Sequence, residues 1–271
     1  MICEKVFYPT PGDDSVHLTC YLHDESHEMK GPPRDAILVL PGGGYHICSD
    51  REAEPIALAY MHYGLNAFVL RYSVKENAVF PRPLNEAFLS VKFIKDNAER
   101  FNIDPNRIFA VGFSAGGHLC ACLGTFHSSP TYLKELGMQR GENRVCGTIL
   151  AYPVISAGAF SHRGSFMGIL GTDTPTDEEL DLYSVEKHVT PDSAPSFIWH
   201  TFEDNCVPVE NSLLMAKALR ENNVPFEMHI FQKGVHGLAL CNHITASVHD
   251  FFINKEAECW LDMSVKWMKN Q

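Results

Sequence analysis

Hydrophobic positions along the chain alternate between two textures. Short runs rich in β-branched and aromatic residues read as strands: "VFY", "SVHLTCYLH", "DAILVLP", "NAFVLRY", "RIFAVGF", "CGTILAYP", "SFIWHT" and "EMHIFQ". Longer stretches between them carry apolar residues at helical spacing. Helices are predicted in "REAEPIALAYMHYG", which stops at a glycine, in "PLNEAFLSVKFIKDNAERF", in "VENSLLMAKALRENN" and in the C-terminal "VHDFFINKEAECWLDMSVKWMKNQ". This alternation predicts an α/β fold, with a mostly parallel sheet of about eight strands flanked by helices. The unbroken runs "AILVL" and "FVL" suit strands covered on both faces, whereas "SVHLTCYLHD" alternates and suits an antiparallel strand.

No repeat, low-complexity tract or Pro/Ser linker divides residues 1–271, which predicts a single domain. One segment breaks the rhythm. Residues 156–196 run without a clear strand, too long for a plain connection, and are expected to form a lid-like insertion facing the substrate. Hydrophobic residues make up 45% and charged residues 20%, the balance of a globular core in water. A net charge of -11 with no Lys/Arg cluster argues against nucleic-acid and anionic-membrane partners. The first residues carry no basic-then-apolar leader, and no run reaches the ~20 apolar residues of a membrane span, so the chain reads as cytoplasmic. Nine cysteines without a C-x-x-C pair, several inside apolar runs, argue against a disulfide framework.

The chemistry begins at "VGFSAGG". Gly112-Phe113-Ser114-Ala115-Gly116 matches G-x-S-x-G, where a serine sits on a tight turn between strand and helix with its oxygen exposed. The pentapeptide also occurs in structural turns; what favours chemistry here is its place after "RIFAV" and before a helix start. A serine hydroxyl is a weak nucleophile and needs a base, and the base needs an orienting acid. Both are expected after later strands, at the end of the sheet where such folds place their sites. Asp204 follows "SFIWHT", and His236 lies in a glycine-flanked loop after "EMHIFQ". Taken singly, Asp204 reads equally as a helix cap and His236 as a loop histidine bonded to backbone. Together with Ser114 they form the chain order serine, acid, histidine. The glycines of "PGGGYH" follow a buried strand, and Gly43 and Gly44 with the N–H of Ala115 are the candidate oxyanion hole.

These stretches resemble the α/β-hydrolase superfamily, and within it the small bacterial acetyl esterase or acetylxylan esterase-like family. The resemblance rests on "PGGGYHICSDREAEPIA", "FVLRYSV", "FPRPLNEAFLSVKFI", "IDPNRIFAVGFSAGGHL", "AYPVIS", "YSVEKHVTPDSAPSFIWHTFEDNCVPVENS" and "GVHGLAL", which cover most of the chain from Ala36 to about Leu240. It implies Ser114 as nucleophile, His236 as base and Asp204 as orienter, with no metal or cofactor. It further implies a serine esterase acting on short acyl groups, chiefly acetyl, on a small molecule or on a carbohydrate such as acetylated xylo-oligosaccharides. Two departures stand out: Pro41 replaces the histidine that opens the HGGG loop of hormone-sensitive-lipase relatives, and, because the first residues read as strands, their helical N-terminal cap is not expected here.

Other residues invite weaker readings. Tyr45 and Trp199 are candidate substrate-binding faces, with core packing the equal alternative. His118 lies one turn into the helix after Ser114 and suits packing or hydrogen bonding. Glu203 competes with Asp204 as the acid, and His200 is expected behind the site. His23 and His27, spaced four apart in a polar loop, make a poor metal site. Cys48 and Cys206 carry no assigned role. Two rival functions share the residues: a peptidase or amidase of the same fold, and a hydrolase-like binding protein without catalysis.

Overall fold

The computed structural model describes residues 1–24, 28, 31–246 and 248–271; His27 lies outside them. Among the described residues eight strands form one sheet: β1 (Ile2–Phe7), β2 (His17–Leu22), β3 (Arg34–Leu40), β4 (Asn66–Arg71), β5 (Ile103–Phe113), β6 (Gly147–Ala151), β7 (Ser196–Thr201) and β8 (Phe226–Phe231). Their order across the sheet is β1-β2-β4-β3-β5-β6-β7-β8. β2 runs antiparallel to both β1 and β4, as its alternation suggested, and all pairs from β4 to β8 are parallel.

The unbroken apolar strands are buried on both faces. In β3 Leu38 and Leu40 point into one core cluster, Ile37 and Val39 into the other. The helices are α1 (Glu54–His62), α2 (Arg82–Asp96), α3 (Ala98–Phe101), α4 (Ala115–Phe126), α5 (Pro130–Leu136), α6 (Arg163–Leu170), α7 (Asp177–Leu182), α8 (Glu210–Glu221), α9 (His243–Ala246) and α10 (Trp260–Lys269). Buried residues of α2, α4 and α8 join one cluster, those of α1 and α10 the other, so the sheet is a middle layer.

The predicted C-terminal helix is corrected by the structure. Only Trp260–Lys269 is a full helix, and the stretch before it is a chain of turns. Asn254 is the reason. Its N–H donates to Cys241 O at 2.7 Å and its Nδ2 to Lys233 O at 2.7 Å, while its Oδ1 accepts from Glu256 and Ala257 N–H. Those bonds fold the segment back on the loop carrying His236 and compete with helix formation. In residues 156–196 the structure has α6 and α7, the latter closed at its N-terminus by a Thr176–Glu179 capping box. α6 rests on the glycine loop: an added Cβ at Gly168 would lie 3.6 Å from Tyr45 Cβ and 3.8 Å from Gly44 O. Among the described residues no helix is long and apolar enough to cross a membrane.

Candidate active site

The parallel strands point their carboxyl ends at one rim, and the register sets what meets there. Leu40 of β3 pairs with Gly112 of β5, so the glycine loop and the Ser114 turn leave the sheet side by side. The glycines of the serine motif are required by close approach. A Cβ on Gly112 would lie 2.1 Å from Gly116 O, and one on Gly116 would lie 2.2 Å from Leu40 O and 2.3 Å from Pro41 O. Ser114 itself takes φ 53° and ψ -117°, a strained conformation for an L residue. Its N–H donates to Ala151 O at 3.0 Å, and its carbonyl accepts from His118 and Val154 N–H, which hold the strain in place.

Ser114 Oγ lies 2.8 Å from His236 Nε2, and His236 Nδ1 lies 2.7 Å from Asp204 Oδ2. A carboxylate only accepts, so Nδ1 carries the proton toward Asp204 and Nε2 is free to accept from the serine hydroxyl. Asp204 Oδ1 accepts the N–H groups of Cys206 and Val207, each at 2.9 Å. Its Oδ2 also lies 3.3 Å from His200 Nε2, and its side chain is 1% exposed. Burial by itself would raise the Asp204 carboxyl; hydrogen bonds from His200 and His236 overcome it and hold the group well below the usual carboxylate range. Glu203 is exposed and accepts the N–H of Gly234 at 3.4 Å, while the carboxylate bonded to His236 Nδ1 is that of Asp204.

The glycine loop is held by its second residue. Gly42 N–H donates to Glu52 Oε2 at 2.9 Å, and a Cβ on Gly42 would lie 3.0 Å from Ser114 Cβ. Gly43 takes φ 125° and Gly44 φ 62°, and among the described residues no protein acceptor takes their N–H groups or that of Ala115. The amide of Ala115 opens α4, where the helix dipole favours negative charge. An anion beside Ser114 thus has unspent amide donors from both loops within the same rim.

Two candidate contacts are corrected. Tyr45 is 1% exposed: its hydroxyl bonds His118 Nδ1 at 2.8 Å, and its ring packs among Tyr72, Phe80 and His118. Trp199 is fully buried and stacks on Trp260 at 5.1 Å between centroids. Side chains alternate along β7, so Trp199 faces the core cluster and has no free face for a ligand. His118 Nε2 donates to Tyr183 O at 2.8 Å, and burial pushes its imidazole down to about 4.

Three nearby residues escaped sequence reasoning. His162, at the start of α6, is half-buried; burial first and the neighbouring His236 second lower its imidazole. Glu52 and Tyr152 link the loops behind the site, and nothing in their local sequence marks them: Glu52 reads as an acidic residue at a helix start. Among the described residues no group of three or more His, Cys, Asp or Glu side chains could hold a metal ion.

Comparison with known proteins agrees with this architecture. Residues 25–219 match the family described as BD-FAE. The chain belongs to that family. It is 42% identical over 234 residues to endo-1,4-beta-xylanase B of Butyrivibrio fibrisolvens, covering 83% of this chain and 35% of that protein. Against an acetylxylan esterase of Xylanibacter ruminicola it is 30% identical over 233 residues, 83% of this chain and 44% of the relative. The chain therefore spans less than half the length of these relatives. The crystal structure of MGS-M1, an alpha/beta hydrolase enzyme from a Medee basin deep-sea metagenome library, superposes with a TM-score of 0.81 at 38% identity, covering 100% of this chain and 97% of that one. An acetyl ester-xyloside bifunctional hydrolase from Caldicellulosiruptor lactoaceticus superposes with a TM-score of 0.80 at 35% identity, covering 96% and 91%. The BD-FAE chain described here has the α/β-hydrolase fold.

Proposed function

We propose that the chain is a carboxylic-ester hydrolase, a serine esterase that removes short acyl groups, chiefly acetyl, from carbohydrates such as acetylated xylo-oligosaccharides. The observation that carries the reading is the unbroken line Ser114 Oγ, His236 Nε2, His236 Nδ1, Asp204 Oδ2, with links of 2.8 and 2.7 Å. His236 takes the Ser114 proton as Oγ attacks the ester carbonyl, and the resulting oxyanion meets the amides of Gly43, Gly44 and Ala115. Each such donor lowers the barrier by about 3 kcal/mol in serine hydrolases generally. His236 then gives its proton to the leaving alcohol. Water, deprotonated by the same imidazole, attacks the acyl-serine, and Ser114 recovers its proton as the acid departs.

The acetyl-sugar part of the reading draws on the relatives' names and on the rim. Beside the glycine loop, a cleft of about 420 Å³ is lined by His46, Lys75, Glu76, Thr172 and Asp173 over Met167 and Val79. Mixed donors and acceptors of this kind suit a hydroxyl-rich alcohol more than a fatty acyl chain. Residues 156–196 supply one wall of that cleft and fit the role of a lid. A reducing, cytoplasmic setting fits nine unpaired thiols.

The test has two arms. A fluorophosphonate is expected to label wild-type protein at Ser114 stoichiometrically and to leave Ser114→Ala unlabelled and inactive but folded; an intact wild type that takes no label defeats the serine-hydrolase reading. Acetate release from acetylated xylo-oligosaccharides is then compared with hydrolysis of C2 to C8 aryl esters. Preference for the longer acyl chains defeats the acetyl-sugar assignment.

A further inference from the structure

Glu52 is a carboxyl group at 4% exposure with no Lys, Arg or His in ion-pair range among the described residues. Such burial is costly without partners, and Glu52 has two of unusual placement. Its Oε2 accepts the N–H of Gly42 at 2.9 Å, and its Oε1 accepts the hydroxyl of Tyr152 at 2.7 Å. The Tyr152 oxygen in turn accepts the N–H of Ala239 at 2.9 Å, on the loop that carries His236. The Tyr152 ring stands edge-on to the His236 imidazole with centroids 5.0 Å apart. One carboxyl group therefore touches the glycine loop directly and the histidine loop through a single hydroxyl.

Both ends of this line hold backbone that does not hold itself. Tyr152 has φ 37° and Ala239 φ 51°, left-handed values at residues with a Cβ, and Gly43 follows Gly42 at φ 125°. Rotation of the Gly42 peptide would re-aim the amides of Gly43 and Gly44, which are the ones left free. The residue before Glu52 acts on the same loop: Arg51 Nη2 donates to Gly237 O at 3.0 Å and its guanidinium lies 3.7 Å above the Phe252 ring. Adjacent side chains thus hold the histidine loop at Gly237 and, through Tyr152, at Ala239.

We infer that Glu52 is a positioning residue: through Gly42 and through Tyr152 it keeps the oxyanion amides and His236 in one register around Ser114. The inference rests on the serine-esterase reading. Its chemistry lies in aim, because a donor displaced by a fraction of an ångström serves the ground state nearly as well but the developing oxyanion poorly.

The experiment measures kcat and KM on an aryl acetate for wild type, Tyr152→Phe, Glu52→Gln and Glu52→Ala, each normalised to active sites titrated to completion with a fluorophosphonate. Tyr152→Phe and Glu52→Ala are expected to lower kcat about 10- to 100-fold with KM within about 3-fold. Glu52→Gln should lie between these and wild type, since its amide oxygen can still accept one of the two donors. Affinity for a boronic acid that mimics the tetrahedral state should fall by the same factor as kcat/KM. If the variants melt at lower temperature but keep wild-type kcat per titrated site, Glu52 serves only the fold and the inference is overturned. A wild type that neither labels nor turns over overturns the esterase reading, and the positioning role with it; an active wild type with unaffected variants overturns the positioning role alone.

Discussion

His200 Nε2 sits 3.3 Å from Asp204 Oδ2, the same oxygen that faces His236 Nδ1 at 2.7 Å. The ring is fully buried, with Nε2 also 2.9 Å from Val207 O and Nδ1 2.8 Å from Ser212 Oγ. Since Val207 O only accepts, Nε2 carries the proton, and the shared N–H reaches the carboxylate as well. Asp204 thus keeps its charge through contacts on both oxygens while one of them orients His236. Replacing His200 by Phe removes this donor at similar volume. The variant is expected to lose about 10-fold in kcat/KM, the worth of roughly 1.4 kcal/mol. Steady-state kinetics on the folded variant check it, and an unchanged kcat/KM would take His200 out of the site.

Gly116→Ala tests the close approach under the serine turn. Its new methyl would meet Leu40 O and Pro41 O at 2.2 and 2.3 Å, backbone atoms that cannot swing aside. A cost of about 1–3 kcal/mol is expected, with near-total loss of turnover as the glycine loop shifts. Urea unfolding and fluorophosphonate labelling together read both effects. A stable and fully active variant would contradict the packing.

Acid should destabilise the fold in part through one buried histidine. Burial pushes His118 down to about 4 in the fold, against about 6.5 unfolded. Between those values the unfolded chain takes up a proton that the fold excludes, so stability is full above about pH 6.5 and declines toward pH 4. The share from His118 is about 3 kcal/mol. His118→Gln should flatten this part of the curve, measured by denaturant unfolding at several pH values. An identical slope in the variant would show that His118 does not carry it.

Trp199→Phe separates packing from binding. With the Trp199 ring stacked on Trp260 and fully buried, the variant is expected to lose about 1–3 kcal/mol of stability while KM for an acetyl ester stays within 2-fold of wild type, about 0.4 kcal/mol. A rise in KM at unchanged stability would return Trp199 to the substrate site.

Much of this protein was legible before folding, because its signals are local. Strand and helix periodicity, the continuous hydrophobicity of β3 and β4, and the alternation of β2 each follow from which faces a few neighbouring residues must bury. Ser114 directly follows β5, and Asp204 and His236 lie in the loops that leave the carboxyl ends of β7 and β8, so a parallel sheet brings all three to one rim. The paired glycines at 112 and 116 are likewise a local demand, made by a turn with no room for Cβ atoms. What the tertiary structure alone decided is who faces whom. Tyr45 and Trp199 became core because strand register and the covering α6 and α10 closed over them. The last helix was cut short because Asn254 found partners in the histidine loop. Glu52, an ordinary acid at a helix start in sequence, acquired its place only when β3 and β5 came side by side and β6 delivered Tyr152 beneath His236. A hydrogen bond between residues 100 positions apart has no local signature; it exists only once the sheet order brings its two ends together.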